Sequence, residues 1–419
     1  MDSLSLKQRA ERIAQMATSL VDELSQTGHP EPSFEHGHPP PLHATAPPST
    51  AKSVHRALTK MVNELHALLI EPSSHLSSDH RLPSLSIHSI IRLGIAANFP
   101  GTGTTVPALA KTLQLDERLV RRLLKHSATY HVFYEATPDF FVHTAASRFL
   151  TENQGVRDWV LLSLEESLPG MLKVAEALKK YAGSEEPEHC GWSLANGTDR
   201  PIYRALAEMP ERAKRFSDAM TWRAKSPGYS PEHLIAVFPW PSDCEGFTVV
   251  DVGGGLGHVS RTLAAHAPKA RFIVQDMDTV VTQANSLGMP QGQVCFQSHD
   301  FFKTQPVQGA DVYLLRWILH NWSDKYAAKI LRALIPAMKV GSKVVINDRV
   351  VPDYHTAHYL VEREARDLDL YMLGFQNARE RTSDDWTALL KAADSRFQIT
   401  AIQKPVDSVL SVIEVTLNG

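Results

Sequence analysis

The stretch Phe247 to His258, FTVVDVGGGLGH, decides the fold. An aromatic and β-branched run (Phe247, Thr248, Val249, Val250) ends in an acid, Asp251, and breaks at once into Gly253, Gly254, Gly255 and Gly257. This pattern predicts a buried strand that turns tightly into a helix. Glycine is needed there because the turn uses dihedrals that a Cβ forbids, and because a ligand must approach the bare backbone at the strand end. The spacing is G-x-G-x-G, not the G-x-G-x-x-G of dinucleotide folds, so taken alone it also fits a plain tight turn.

The next segments narrow the reading. Ala270 to Asp276, ARFIVQD, is a second apolar strand ending in an acid, and Val294 to Asp300, VCFQSHD, is a third, followed by Phe301 and Phe302. A carboxylate at the tip of the second strand can accept from both hydroxyls of a ribose. At the third, an acid for an exocyclic amine beside an aromatic ring for stacking suits adenine. Strand-end carboxylates without an Arg or Lys cluster argue against a phosphate-bearing cofactor and favour an adenosine joined to a cationic or zwitterionic tail.

The bulk properties set the bounds. A chain of 419 residues has room for two to three domains. A formal charge of -3 gives no bias towards nucleic acid or an anionic membrane. Cys190, Cys244 and Cys295 lack metal-ligand spacing and fit free thiols in a reducing compartment. The N-terminus is charged every few residues, unlike a secretion signal, and no run approaches the roughly 20 apolar residues of a membrane span. A cytoplasmic protein without a membrane partner is expected.

In chain order, residues 1–50 read as an amphipathic helix (Leu6, Ile13, Met16, Leu20, Val21, Leu24) and a Pro- and His-rich linker. His29, His36, His38 and His43 have no cysteine or ordered frame beside them, so no metal site is expected. Residues 51–150 give helices and then two short strands, Val132 to Glu135 and Phe140 to His143, in winged-helix order. Arg118, Arg121, Arg122 and Lys125 on its third helix are the one place where DNA binding could begin. Asp116 and Glu117 flank them, and a solvated face on a dimerising helix is the preferred reading, with no nucleic-acid partner. Residues 151–240 read as helices whose Trp159, Leu164, Met171, Met209, Phe216, Met220 and Trp222 suit either a substrate cavity or ordinary core, with core the preferred reading for any one of them. From 241 to 419, strand and helix alternate, which predicts a parallel, doubly wound sheet closed by an antiparallel hairpin.

The chemistry is expected at the carboxyl ends of those strands. Strand 311–315 runs into Arg316 and then His320 and Asn321, strand 343–348 ends at Asp348, and Glu380 precedes a helix capped by Thr382 or Ser383. A neutral imidazole can take a proton at physiological pH, and a carboxylate on its other nitrogen fixes the tautomer. A satisfied core histidine and a surface acid would give the same letters.

Taken in order, DVGGGLGH, VQDMDTVV, SHDFF, LLRWILHNWSD, KVVINDRVVPD and RERTSDDW resemble the plant- and fungal-type S-adenosylmethionine-dependent O-methyltransferases of small phenolic natural products, with fungal polyketide-pathway members the most similar. The resemblance spans about 84 to 415. It implies a Rossmann-like α/β methyltransferase sheet with an N-terminal, mainly helical, winged-helix-like domain for homodimerisation. It implies S-adenosyl-L-methionine as cofactor and a small aromatic, polyketide-like substrate. By position it assigns Asp251, Gly253, Gly255, Asp276, Asp300, Phe301 and Arg316 to the cofactor region, with Gly253 and Gly255 near the methionine part, Asp276 at the ribose, and Asp300 with Phe301 at the adenine. It assigns His320 as general base, held by Asp348 and Glu380, and it implies no metal. Three positions depart from the family, which usually has Lys at 316, Asp at 321 and Glu at 348. Proteins resembling this family also include pericyclases and dehydratases that keep the cofactor without methyl transfer; these tend to replace the histidine that this chain retains.

Overall fold

The computed structural model describes residues 4–32, 49–70, 82–241, 243–286, 292–354 and 356–418. The chain divides into two compact units, Met1–Leu161 and Leu162–Gly419. Residues 33–48, which include His36, His38 and His43 of the expected linker, lie outside the described residues.

In the first unit, helices Leu6–Gln26 and Ser49–Leu69 pack together around Leu20, Leu24 and Ala51. Ser5 starts the first of them with a capping box, its hydroxyl accepting from Gln8 N–H while the Gln8 side chain accepts from Ser5 N–H at 2.8 Å. Helices Leu82–Arg92, Val106–Leu113 and Glu117–Ala128 enclose a separate core with Ile90, Val106, Val120, Leu124 and Phe141. A small antiparallel sheet of β1 (Thr104–Thr105), β2 (Tyr134–Thr137) and β3 (Phe140–Val142) completes this part, in the order β1-β3-β2. Strand β2 begins two residues later than the sequence predicts. His131 and Phe133 have φ of 59° and 67°, and left-handed backbone cannot enter an extended ladder. On helix Glu117–Ala128, Arg121 pairs with Glu117 and Asp139, and Lys125 pairs with Glu135, so half of the basic quartet is neutralised within the unit.

The second unit is built on seven strands: β4 (Thr248–Val252), β5 (Arg271–Asp276), β6 (Val294–Ser298), β7 (Val312–Arg316), β8 (Lys343–Asp348), β9 (Phe397–Gln403) and β10 (Ser411–Leu417). Their order is β6-β5-β4-β7-β8-β10-β9. The first five run parallel, and β10 enters antiparallel to both β8 and β9. Alternate residues feed opposite faces, as a sheet covered on both sides requires. Val250, Tyr313, Leu315, Val344 and Ile413 meet helices Asp324–Leu334 and Ser383–Ala393, the latter through the fully buried Trp386. Val249, Phe272, Val274, Leu314 and Val345 meet helices Glu232–Val237 and His258–His266. Helix Asp324–Leu334 gives way to a 3-10 turn, Ile335–Ala337. Pro336 accounts for this, since its ring lacks the N–H that would continue the helix.

Strand order reverses at β4, which has β5 on one side and β7 on the other. The crevice of a doubly wound sheet opens at such a point, so the loops after β4, β5, β6, β7 and β8 share one rim. The loop after β4 depends on its glycines. Gly257 has φ 73°, and a Cβ there would stand 2.9 Å from the Phe296 ring. Gly257→Ala is expected to lower unfolding free energy by about 1–3 kcal/mol through backbone strain and overlap. Chemical denaturation checks this; a variant as stable as the parent contradicts the strain argument.

Candidate active site

The first half of the rim is backbone-lined. Gly253 N–H donates to Gln275 O at 2.7 Å, and Gly255 N–H donates to Asp276 Oδ2 at 2.9 Å, which ties the glycine turn to the tip of β5. A Cβ on Gly253 would lie 2.5 Å from Ile318 Cδ1, whereas one on Gly255 would meet nothing within 4 Å. Gly253 therefore serves close packing, and Gly255 presents bare backbone to open space. Asp251 sits underneath. It is 2 % exposed, accepts from Ser260 Oγ at 2.6 Å and lies where a Gly254 Cβ would clash. Burial pushes its carboxyl up to about 6. Asp251 thus shapes the turn from below.

Asp276 takes a second backbone bond from Met277 N–H at 2.8 Å. Burial raises its pKa, and the two N–H donors hold it down. Each oxygen accepts one backbone N–H and keeps a further lone pair for a diol. Beyond it, Met277, Asp278, Ser298, His299, Asp300 and Lys303 line a recess of about 380 Å³. Asp300 Oδ1 accepts from Phe302 N–H at 3.0 Å, and Phe301 stands edge-on to Phe302 and Trp322 with its ring turned towards Gly253. His299 lines the recess, with its Nε2 buried and without a hydrogen-bond partner. These residues fit a nucleoside: a diol acceptor, an exposed acid, an aromatic ring and bare backbone.

The second half of the rim carries the titratable groups. After β7 the chain turns through Trp317 at φ 56°, a conformation rarely held by a bulky residue, and through the short turn Leu319–Asn321. His320 Nδ1 lies 2.7 Å from Glu380 Oε1, with side-chain exposures of 13 % and 0 %. A neutral imidazole then donates Nδ1–H to Glu380 and leaves Nε2 as acceptor. Burial pulls the imidazole pKa down, but the charge and hydrogen bond of Glu380, with Asp348 behind, outweigh it and raise it above its ordinary value. Asp348 is fully buried, with no side-chain hydrogen-bond partner; the polar group that faces it is the His320 backbone N–H. Burial pushes its carboxyl up to about 6, with His320 drawing it back. The shorter acid at 348 therefore acts on the imidazole through charge alone. Arg316 donates to Asn347 Oδ1 and Tyr229 O, and burial lowers its pKa to about 10 while Asp251 and Asp348 oppose that shift. It bridges the two halves of the rim from behind.

Sequence reasoning missed Arg381. Its side chain is fully buried and donates to Leu319 O at 3.0 Å, Trp322 O at 2.9 Å and Asp324 Oδ1 at 2.8 Å, so it grips the backbone on both sides of His320. Alternation in RERT was the available signal: neighbouring side chains on extended backbone point opposite ways, Glu380 to the imidazole ring and Arg381 to the turn that carries it.

A wall of rings stands beside the imidazole turn. Phe375, on helix Tyr359–Gln376, stacks with Phe216 at 6.3 Å and meets Tyr371 at 5.0 Å, and Tyr203 closes edge-on to Phe216 at 5.9 Å. Met171 reaches the same helix at Gly374, where a Cβ would lie 2.9 Å from its sulfur. Leu164, Met171, Met209, Phe216, Met220 and Trp222 are all half-buried, unlike a sealed core; Trp159 belongs to the first unit. A second missed feature anchors this wall. Glu166, 2 % exposed in a π-helical turn, accepts from Trp192 Nε1 at 3.1 Å, Arg212 Nε at 2.7 Å and Arg215 Nη2 at 3.0 Å. Its neighbour Ser167 is hydrogen-bonded to the Tyr371 hydroxyl at 2.9 Å.

The chain is similar to known proteins in sequence and in fold. The family described as O-methyltransferase domain matches residues 176–396. O-methyltransferase AMT9 of Alternaria alternata is 35% identical, covering 99% of this chain and 98% of its own. Chlorophenol O-methyltransferase of Trichoderma longibrachiatum is 34% identical over 80% of this chain and 73% of its own. Among solved structures, LepI in complex with SAM superposes with a TM-score of 0.76 at 23% identity, covering 98% of this chain and all of that one. A structure titled a pericyclic reaction enzyme gives 0.76 at 22%, with the same coverage. At that identity these two show the shared fold. The chain belongs to the O-methyltransferase family and is an S-adenosyl-L-methionine-dependent enzyme of that family.

Proposed function

We propose that the enzyme methylates a phenolic or enolic hydroxyl of a flat, polyketide-like aromatic molecule of secondary metabolism, with His320 as general base. The observation that carries this reading is the 2.7 Å contact between His320 Nδ1 and Glu380 Oε1 on the same rim as the glycine turn. Glu380 holds the tautomer that leaves Nε2 free to accept a proton. Gly255 takes the methionine portion, with Gly253 packed against Ile318 rather than open to it, Asp276 takes the ribose diol, and Asp300 with Phe301 the adenine. When bound, S-adenosyl-L-methionine supplies an electrophilic methyl carbon on a sulfonium. His320 Nε2 would remove the hydroxyl proton and so leave an oxygen nucleophile for the methyl group that the bound cofactor would supply, the carbon–sulfur electron pair staying with sulfur. A phenolic pKa near 10 lies within reach of a positioned imidazole. Phe216 and Tyr371, backed by the buried Phe375, hold the acceptor flat, and alignment of the reacting atoms provides much of the acceleration. The first unit, with Val62, Leu68 and Leu69 exposed on its second helix, serves homodimerisation, and three free cysteines suit the cytoplasm. A mass in solution of twice the 46.5 kDa chain supports the dimer, and a single-chain mass removes it.

Methyl-labelled cofactor and a panel of phenolic and enolic acceptors test the reaction. Labelled ether product is expected, with His320→Ala slower by about 10²–10⁴-fold. Turnover of an acceptor without transfer of label would instead mark a dehydratase or pericyclase on the same fold.

The dependence on pH follows from the charges. His320 works as a base when neutral and its pKa is raised, so kcat/KM should rise with pH through a value above about 6.5. Glu380→Gln removes the main partner; the limb should move to lower pH and kcat fall by about 10²-fold as the ring loses its tether. Asp348→Asn removes charge but no hydrogen bond to the imidazole, so the limb should move down with a far smaller loss of rate. Stability follows the same charges: a raised imidazole pKa stabilises the fold below about 6.5 and loses that contribution as pH rises through the folded value. Asp348, raised to about 6, opposes folding once ionised, so Asp348→Asn should melt no lower than the parent at pH 8. Equal effects of the two substitutions on rate would refute this division of labour.

A further inference from the structure

The left-handed turn at Trp317 aims the chain at His320, and its carbonyl is not left to water. Trp317 O accepts from Asn321 Nδ2 at 2.9 Å, and Asn321 Oδ1 accepts from Gln376 Nε2 at 2.8 Å. A carbonyl only accepts, so Asn321 must turn its nitrogen to Trp317; its oxygen then faces Gln376, which must donate. Gln376 is 3 % exposed and directly follows Phe375 on the helix that carries the ring wall.

We infer that Asn321 is a positioning residue that locks the turn bearing the base to the helix bearing the acceptor wall, and that it does so as a neutral amide. This rests on the proposed methyl transfer with His320 as base. An aspartate at 321 would present oxygen to the Trp317 carbonyl and could not make that bond while ionised. It would also place a third carboxylate near an imidazole already faced by Glu380 and Asp348, with Arg381 the opposing cation. The amide thus sets distance without raising the base further. Coupling through Gln376 makes the acceptor wall move with the base, which keeps the oxygen of a rigid ring system aligned with Nε2.

The test uses full-length Asn321→Asp, Asn321→Ala and Gln376→Met. Readouts are kcat and acceptor KM against pH, cofactor affinity by calorimetry, and nitrogen NMR titration of the imidazoles with the His320 signal assigned by its loss in His320→Ala. Asn321→Asp should lose about 10- to 100-fold in kcat with cofactor affinity unchanged. Its acid limb and its His320 titration should both move up by roughly one pH unit. Asn321→Ala should lose rate with both titrations unmoved. Gln376→Met should raise acceptor KM with the limb in place, and it decides the coupling if Asn321→Asp does not fold. The inference is overturned if Asn321→Asp keeps parental kcat and titration, or if Gln376→Met leaves acceptor KM and kcat as they were. Absence of methyl transfer by the parent protein counts against the proposed function instead, and the NMR titration still decides the electrostatic role.

Discussion

Two left-handed turns at the ends of adjacent parallel strands govern this site: Gly253 after β4 and Trp317 after β7. They meet through Ile318, whose Cδ1 occupies the space where a Gly253 Cβ would be, 2.5 Å from it. Replacing that missing carbon would drive the two loops apart, and the loops carry opposite halves of the chemistry. The glycine is therefore a spacer between the proposed cofactor edge and the imidazole as much as a hinge for the chain. Positioning for group transfer tolerates little slack, so a contact of this kind constrains rate without touching a reacting atom.

Electrostatics reinforce the geometry. Behind the rim, the carboxylates of Asp251, Asp348 and Glu380 share low-dielectric surroundings with the guanidiniums of Arg316 and Arg381. Around the imidazole itself, Glu380 and Asp348 outnumber Arg381, which is also paired with Asp324. That imbalance explains why His320 is raised although burial alone would lower it. It also separates two acids that the sequence presents as equivalents. Glu380 reaches the ring and orients it; Asp348, a methylene shorter than the family's usual glutamate, supplies field without contact.

Much of this was legible in the letters because the sheet writes its own punctuation. Apolar runs ending in acids, with glycines after the first, located β4, β5 and β6, and alternation with helices fixed the parallel order. The same logic put His320, Asp348 and Glu380 on one rim, since strand ends share a side. What stayed hidden depended on direction and long-range closure. Nothing local announces that Arg381 turns back to the carbonyls of Leu319 and Trp322, or that Glu166 gathers Trp192, Arg212 and Arg215 from three segments. The hairpin start slipped for a related reason: apolar residues at 132 and 133 look like strand, but left-handed backbone at Phe133 delays the ladder.

The departures from the family pattern look conservative one at a time, yet the structure links them. Arg316 reaches Asn347 and the Tyr229 carbonyl with a forked group that a lysine cannot imitate. Its positive charge then stands between Asp251 and Asp348, relieving both where Asp348 has no side-chain hydrogen-bond partner of its own. Asn321 withholds a charge from the same neighbourhood and spends its donor on the strained Trp317 turn. A shorter acid, a forked cation and a neutral amide therefore behave as one adjustment. Direct contact with the imidazole is reduced to Glu380 alone, and the alignment that a second carboxylate contact would have provided is transferred to the backbone that Arg381 and Asn321 hold.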